Sequence, residues 1–165
     1  EDKKSKIIYI SLLLFIIFMS VFLSWKAGFE TAPDEGMKYE LIEYLATHNK
    51  LPHGGDKEII NKMWGTSYGF TPYLSYIFSA IFVKVFMLFT SNIKILIFAA
   101  RLVSVIFYVL YFHFIWKISK KLFKDSFKYL FVVLCTFLPS IVYLGTYINT
   151  DMFALFVGAF IFSKE

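Results

Sequence analysis

The chain has one cysteine, four prolines and few charges: only 18% of its 165 residues are Asp, Glu, Lys or Arg. A lone cysteine, Cys135, excludes an intrachain disulfide, and its place inside an apolar run says nothing about redox compartment. There is no phosphate-binding glycine loop, no GxGxxG, no HExxH and no GxSxG. Nucleotide binding and zinc or serine hydrolysis therefore find no support. Internal repeats and low-complexity tracts are absent too. What fills the space is apolar: 58% of residues are hydrophobic and 21% aromatic, with a mean hydropathy of +0.64. A soluble domain is nearer half apolar and about a quarter charged. Twenty-one Phe and eleven Tyr suit lipid-facing and interfacial positions, where a ring can sit half in hydrocarbon. The net charge of +5 would suggest nucleic acid in a soluble protein; here the lysines flank hydrophobic runs, so membrane topology explains them and no nucleic-acid partner is expected.

The apolar runs predict an all-α, polytopic membrane protein. Residues 7–25 form a run of 19, interrupted only by Ser and Tyr, which as a helix reaches roughly 28 Å against a bilayer core of about 30 Å. No small-residue cleavage site follows it, so it reads as a retained transmembrane helix ending at Trp25 and Lys26. Residues 26–91 read as an outer loop with juxtamembrane helices. Its polar part, Lys26 to Thr71, holds seven acids and five lysines. Within it Pro33-Asp34-Glu35 can start a helix, and Met37, Leu41, Tyr44 and Leu45 recur at helical spacing, as in a short helix on the membrane surface. Leu51 to Asp56 ends that helix with turn chemistry, and His48 and His53 read as loop residues. Residues 72–89 are apolar but begin at Pro72 and contain Lys84, so they are expected to be partly embedded or spanning. Residues 92–116 and 129–147 are expected transmembrane helices, and 151–165 the start of a further helix. The absence of an initial Met and the ending inside an apolar run read as a piece of a longer protein.

Charge sets the expected orientation. Lys3, Lys4 and Lys6 place the N-terminus in the cytoplasm, and the five lysines of 117–128 should lie there as well. Both hold only if one of the segments 72–89 and 92–116 crosses. The adopted solution hairpins 72–89 at the outer leaflet and lets 92–116 cross. Asp34, Glu35 and Asp151 then finish on the outer face; the conventional alternative puts Asp151 inside.

Three constellations could carry chemistry. Asp34-Glu35 could supply a general base or hold a divalent ion, or could simply be an acidic helix start. Asn149-Thr150-Asp151 could contribute a second acid or be an ordinary helix cap. Arg101, inside an apolar helix, could hold a lipid phosphate bidentately, pair with a loop acid, or snorkel to the interface.

The order of these features resembles the GT-C fold membrane glycosyltransferases, among them protein O-mannosyltransferases and aminoarabinose transferases. The residues that carry the likeness are Pro33-Asp34-Glu35 after one span, the stretch from Tyr39 to Leu51-Pro52, Gly69 to Leu74, Ala100 to Ser104, and Leu138-Pro139 followed by Asn149-Thr150-Asp151. Some relatives carry a histidine where Lys38 stands here, and a proline where Val103 stands. The likeness covers nearly the whole chain, as roughly the first third of a longer enzyme that would be inactive as this fragment alone. It implies a sugar donor on a polyprenyl phosphate, an acceptor that is a glycan, lipid or protein, and transfer at the outer face of the plasma membrane. By position it implies Asp34 as general base, with Asp151 and Glu35 orienting acceptor or phosphate. Arg101, Lys84, Lys38 and Asn149 become candidates for holding substrate and its departing phosphate. In a metal-dependent branch Asp34 and Asp151 would hold Mg²⁺ or Mn²⁺. Two other classes compete: a transporter, flippase or assembly subunit with structural loop acids, and a polysaccharide polymerase. Acids at a helix rim rather than mid-membrane favour an enzyme.

Overall fold

A computed structural model of the chain describes residues 3–48 and 50–164. Every regular element among them is helical: α1 Lys3–Lys26, α2 Glu35–His48, a 3₁₀ turn Tyr68–Phe70, α3 Leu74–Met87, α4 Ile93–Leu122, α5 Phe127–Thr136, α6 Pro139–Leu144 and α7 Asp151–Phe162. Of these, α1 and α4 are long and apolar enough to cross a membrane. The α1 surface is apolar all round rather than striped, and Leu14, Phe15 and Phe18 stand exposed on it. A helix of that kind needs lipid or protein on every side.

The bundle is organised on α4, which touches α1, α3, α5 and α7. Asn92 caps its start, the side-chain oxygen accepting from the Lys94 amide at 3.0 Å. Antiparallel to it runs α1: Tyr9 near its start meets His113 and Trp116, while Ser24 near its end meets Arg101. In contrast, α7 runs parallel to α4, with Phe153 on Phe107, Phe160 on Phe114, and Ser163 on Lys121. The end bearing the first lysines of α1 is therefore also the end bearing Lys117, Lys120 and Lys121 of α4. Asp34, Glu35 and Asp151 gather nearer the opposite end.

The 14 residues of α3 make roughly 21 Å of helix, too short to cross a bilayer core of about 30 Å. A short connection hairpins α3 onto the first half of α4, and the Ser79 hydroxyl donates to the Ala100 carbonyl at 3.2 Å across that seam. On the outer flank α2 packs against α3. Its Leu41, Ile42, Tyr44 and Ala46 are buried, so α2 is a covered helix rather than one lying open at a surface. His48, expected in the loop, is the last residue of α2.

The expected continuous helix over 129–147 is in fact two. Pro139 lacks an amide hydrogen and opens α6, so the helix breaks at Phe137-Leu138. The carbonyls stranded at the end of α5 are taken by tyrosines of α4: Tyr108 donates to Thr136 O at 2.7 Å and Tyr111 to Cys135 O at 3.1 Å. Gly145 then lies flat on the Tyr108 ring, where a Cβ would meet ring carbons at 2.5 and 2.7 Å. The expected helix from 151 is α7, ending at Phe162; Glu165 lies outside the described residues.

Candidate active site

Neighbouring acids part ways at the start of α2. Asp34 has a left-handed backbone, φ +55°, a conformation that Asp tolerates better than most residues. The turn leaves the Asp34 carboxylate exposed and sends the Glu35 carboxylate into the core, fully buried.

Glu35 there meets Arg101. The guanidinium Nε and Nη2 donate to the two carboxylate oxygens at 2.8 and 2.7 Å. Its other donors reach the last carbonyls around α1: Nη1 to Ser24 O and Ala27 O, Nη2 to Gly28 O, each at 2.8 Å. All five N–H groups of Arg101 are thus used inside the chain. Glu35 also accepts from the Ile148 amide at 3.3 Å. One ion pair ties together the end of α1, the start of α2, the first third of α4 and the loop before α7. Of the readings open for Arg101, the fold uses the pairing with a loop acid, and no donor remains for a lipid phosphate.

Asp34 meets a different set. Tyr68, in the 3₁₀ turn, donates to its Oδ2 at 2.8 Å. Lys38, one turn into α2, donates to the Pro33 carbonyl at 2.8 Å, with its ammonium over the Tyr68 ring at 5.5 Å and the Tyr147 ring at 5.3 Å. The side chain of Lys38 is 8% exposed. Burial lowers its pKa from the ordinary lysine value; Asp34, Asp151 and Glu35 pull the other way. The charges of Asp34 and Asp151, remote in sequence, therefore both act on one ammonium. Tyr68 and Tyr147 are both pushed up to about 12, in each case first by burial; a hydrogen bond to Asp34 adds to Tyr68, and the charge of Asp151 to Tyr147. Both phenols stay protonated donors at neutral pH.

Each carboxylate opens on its own cavity. Asp34 lines a cleft of about 460 Å³ with Trp64, Thr66, Ser67, Tyr68 and Thr71, a wall of hydroxyls and aromatic rings. Asp151 heads a groove of about 980 Å³ between α4, α5, α6 and α7, walled by Ile115, Phe131, Ile141, Leu155 and Phe162, with Lys121 at its other end.

The remaining candidates lie apart. Asn149 is buried and caps the turn into α7: its amide donates to Leu144 O and Tyr147 O, and its oxygen accepts from the Met152 amide at 2.8 Å. Lys84 lines a small cavity with Leu45, Lys50 and Ile81 on the α2–α3 seam. For a divalent metal the donor set does not fit. No group of three His, Cys, Asp or Glu that could hold a metal ion exists among the described residues. Sequence reading missed Tyr68, Tyr147 and Trp64. Their only signal is position: Tyr147 lies two residues before Asn149, and Trp64 and Tyr68 end the polar loop.

No known family model, no curated protein and no solved structure matches the chain.

Proposed function

We propose that the chain is a multi-pass membrane protein that carries the outer-face site of a glycosyltransferase using a polyprenyl-phosphate-linked sugar. The observation that carries the reading is the cluster of Asp34, Tyr68, Lys38 and Tyr147, in which Tyr68 donates to Asp34 and the Lys38 ammonium lies over both rings, with a hydroxyl-lined cleft at Asp34 and an apolar groove headed by Asp151. The shared lysine end of α1 and α4 supports a cytoplasmic N-terminus, which puts both carboxylates outside. Exposed Leu14 and Phe18 on α1 support contact with lipid.

In this mechanism the isoprenoid lies in the groove and the acceptor hydroxyl in the cleft. Asp34 takes the hydroxyl proton as the acceptor oxygen bonds to the anomeric carbon. The bond from that carbon to the phosphate oxygen breaks, and its electron pair leaves with the phosphate. Lys38, with the Tyr68 and Tyr147 phenols beside it, is placed to offset the charge that develops. Asp151 stands at the head of the groove. Glu35 and Arg101 position the elements without touching substrate.

Membranes containing the full-length protein, supplied with radiolabelled polyprenyl-phosphate sugars, test this directly. Wild type is compared with Asp34→Asn at equal insertion. Transfer present in wild type and lost in the variant is expected. Transfer that survives intact removes Asp34 as the base, and no transfer by wild type from any donor shifts weight to a transport or assembly role.

A further inference from the structure

The hydroxyl that meets Asp34 can be carried by a sugar, a lipid or a protein, and the wall of the cleft tells these apart. At about 460 Å³ the cleft lies within the size range of small-molecule sites, roughly 300–1,000 Å³. One side of it is Trp64. Tryptophan is on average a highly buried residue. This one is 65% exposed, and among the described residues its ring packs on no other ring and its indole N–H meets no acceptor. The backbone beneath it is fixed by Asn61. The Asn61 side-chain oxygen accepts from the Met63 and Trp64 amides at 3.0 and 3.3 Å. Its own amide donates to the Thr66 carbonyl at 3.0 Å, and its carbonyl accepts from the Gly65 amide at 2.8 Å. Gly65 closes this turn at φ +66°, a left-handed conformation that glycine adopts at no steric cost. Polar groups stand around the ring. The exposed Thr66 hydroxyl has no partner among the described residues. The Thr71 hydroxyl donates to the Tyr68 carbonyl at 2.8 Å and keeps its acceptor capacity. Tyr68 holds Oδ2 of Asp34 and leaves Oδ1 open.

We propose that this cleft takes a carbohydrate, with a pyranose ring stacked on Trp64 and one of its hydroxyls directed at Asp34. A pyranose has the same division as the wall: a face of C–H bonds and a rim of hydroxyls. The C–H hydrogens are slightly positive and suit the electron-rich face of the indole. The rim hydroxyls meet the threonine hydroxyls and the open carboxylate oxygen, which accept and donate as a sugar needs. A serine or threonine side chain of a protein brings a hydroxyl but no ring face to cover Trp64. Trp64 is then the residue that selects a glycan over a peptide. That the bound sugar is an acceptor rests on the transferase reading; that the cleft binds a sugar ring does not.

The test is saturation-transfer NMR on the full-length protein in phosphatidylcholine nanodiscs, which carry no sugar of their own. The probes are cellotetraose, chitotetraose, mannotetraose and a peptide rich in serine and threonine. Wild type binds at least one of the oligosaccharides, with saturation concentrated on the C–H protons of one ring face. Trp64→Ala weakens that binding by on the order of tenfold, and Trp64→Tyr, which keeps a ring, restores most of it. Where transfer is measured, Trp64→Ala raises the KM for the acceptor far more than it lowers kcat. Binding of none of the oligosaccharides, or binding unchanged in Trp64→Ala, overturns the proposal. So does a peptide that binds in their place. Sugar binding that depends on Trp64 without any transfer upholds the site and removes the transferase reading; transfer to the peptide alone does the reverse.

Discussion

Arg101 holds Glu35 through two parallel hydrogen bonds of 2.8 and 2.7 Å, both partners sealed from solvent. The pair is the clasp of the fold: it joins three helices and a loop, and it frees Asp34, the adjacent acid, to face outward.

Breaking the clasp from one side strands a buried charge. Glu35→Leu or Arg101→Leu alone should lower stability by about 3–5 kcal/mol. The double variant should lose less than the sum, because no lone charge remains. Thermal unfolding of the detergent-solubilised protein checks both; strictly additive losses would contradict the pairing.

Tyr68→Phe removes the donor that fixes the Asp34 carboxylate. Stability should move by about 1 kcal/mol or less, since the contact is solvent-exposed. Transfer should fall by about tenfold, as expected for a base no longer held in place. Unchanged transfer with an intact fold would remove Tyr68 from the site.

Alkaline titration separates two opposing effects. Lys38 has a lowered pKa in the fold, so between that value and the ordinary lysine pKa the unfolded chain binds more protons, and stability rises with pH. Tyr39, Tyr68 and Tyr147 are raised to about 12; the stability they contribute is complete below pH 10.0 and is lost as pH climbs toward 12. Lys38→Met should abolish the rise and keep the fall. Unfolding midpoints across the alkaline range read this out, and a rise that persists in the variant assigns it elsewhere.

Gly158 lines the apolar groove, and a Cβ there would meet nothing within 4 Å. Gly158→Phe should fill the groove and leave folding intact. Replacing a mid-helix glycine should also stabilise α7, by a few tenths to about 1 kcal/mol. For the transfer reaction, the KM for the lipid-linked donor should rise while binding of the acceptor is unaffected. Unchanged KM would show that the isoprenoid lies elsewhere.

Much of the architecture was legible in the sequence because each helix advertises itself locally. The runs 7–25 and 92–116 are long and unbroken, and a chain with so little charge has few alternatives to helix in an apolar setting. The apolar run 72–89 contains α3, and Pro72 stands just ahead of its start at Leu74. Asp34 and Asp151 stood out because acids beside apolar runs are rare. Sequence alone could not say that Asp34 and Glu35 part company, since that depends on one left-handed residue at the helix start. Nor could it choose among the readings of Arg101: an arginine in an apolar helix is ambiguous until its five donors find oxygens, and these come from three separate segments. The break at Pro139 required the tyrosines of α4 to satisfy the carbonyls that it strands. The sequence determined where the two long apolar helices lie and which acids are unusual, because composition and periodicity are local. Only the tertiary structure decided which acid is buried and which rings the Lys38 ammonium meets, because side-chain direction is set by the phase of each helix against its neighbours.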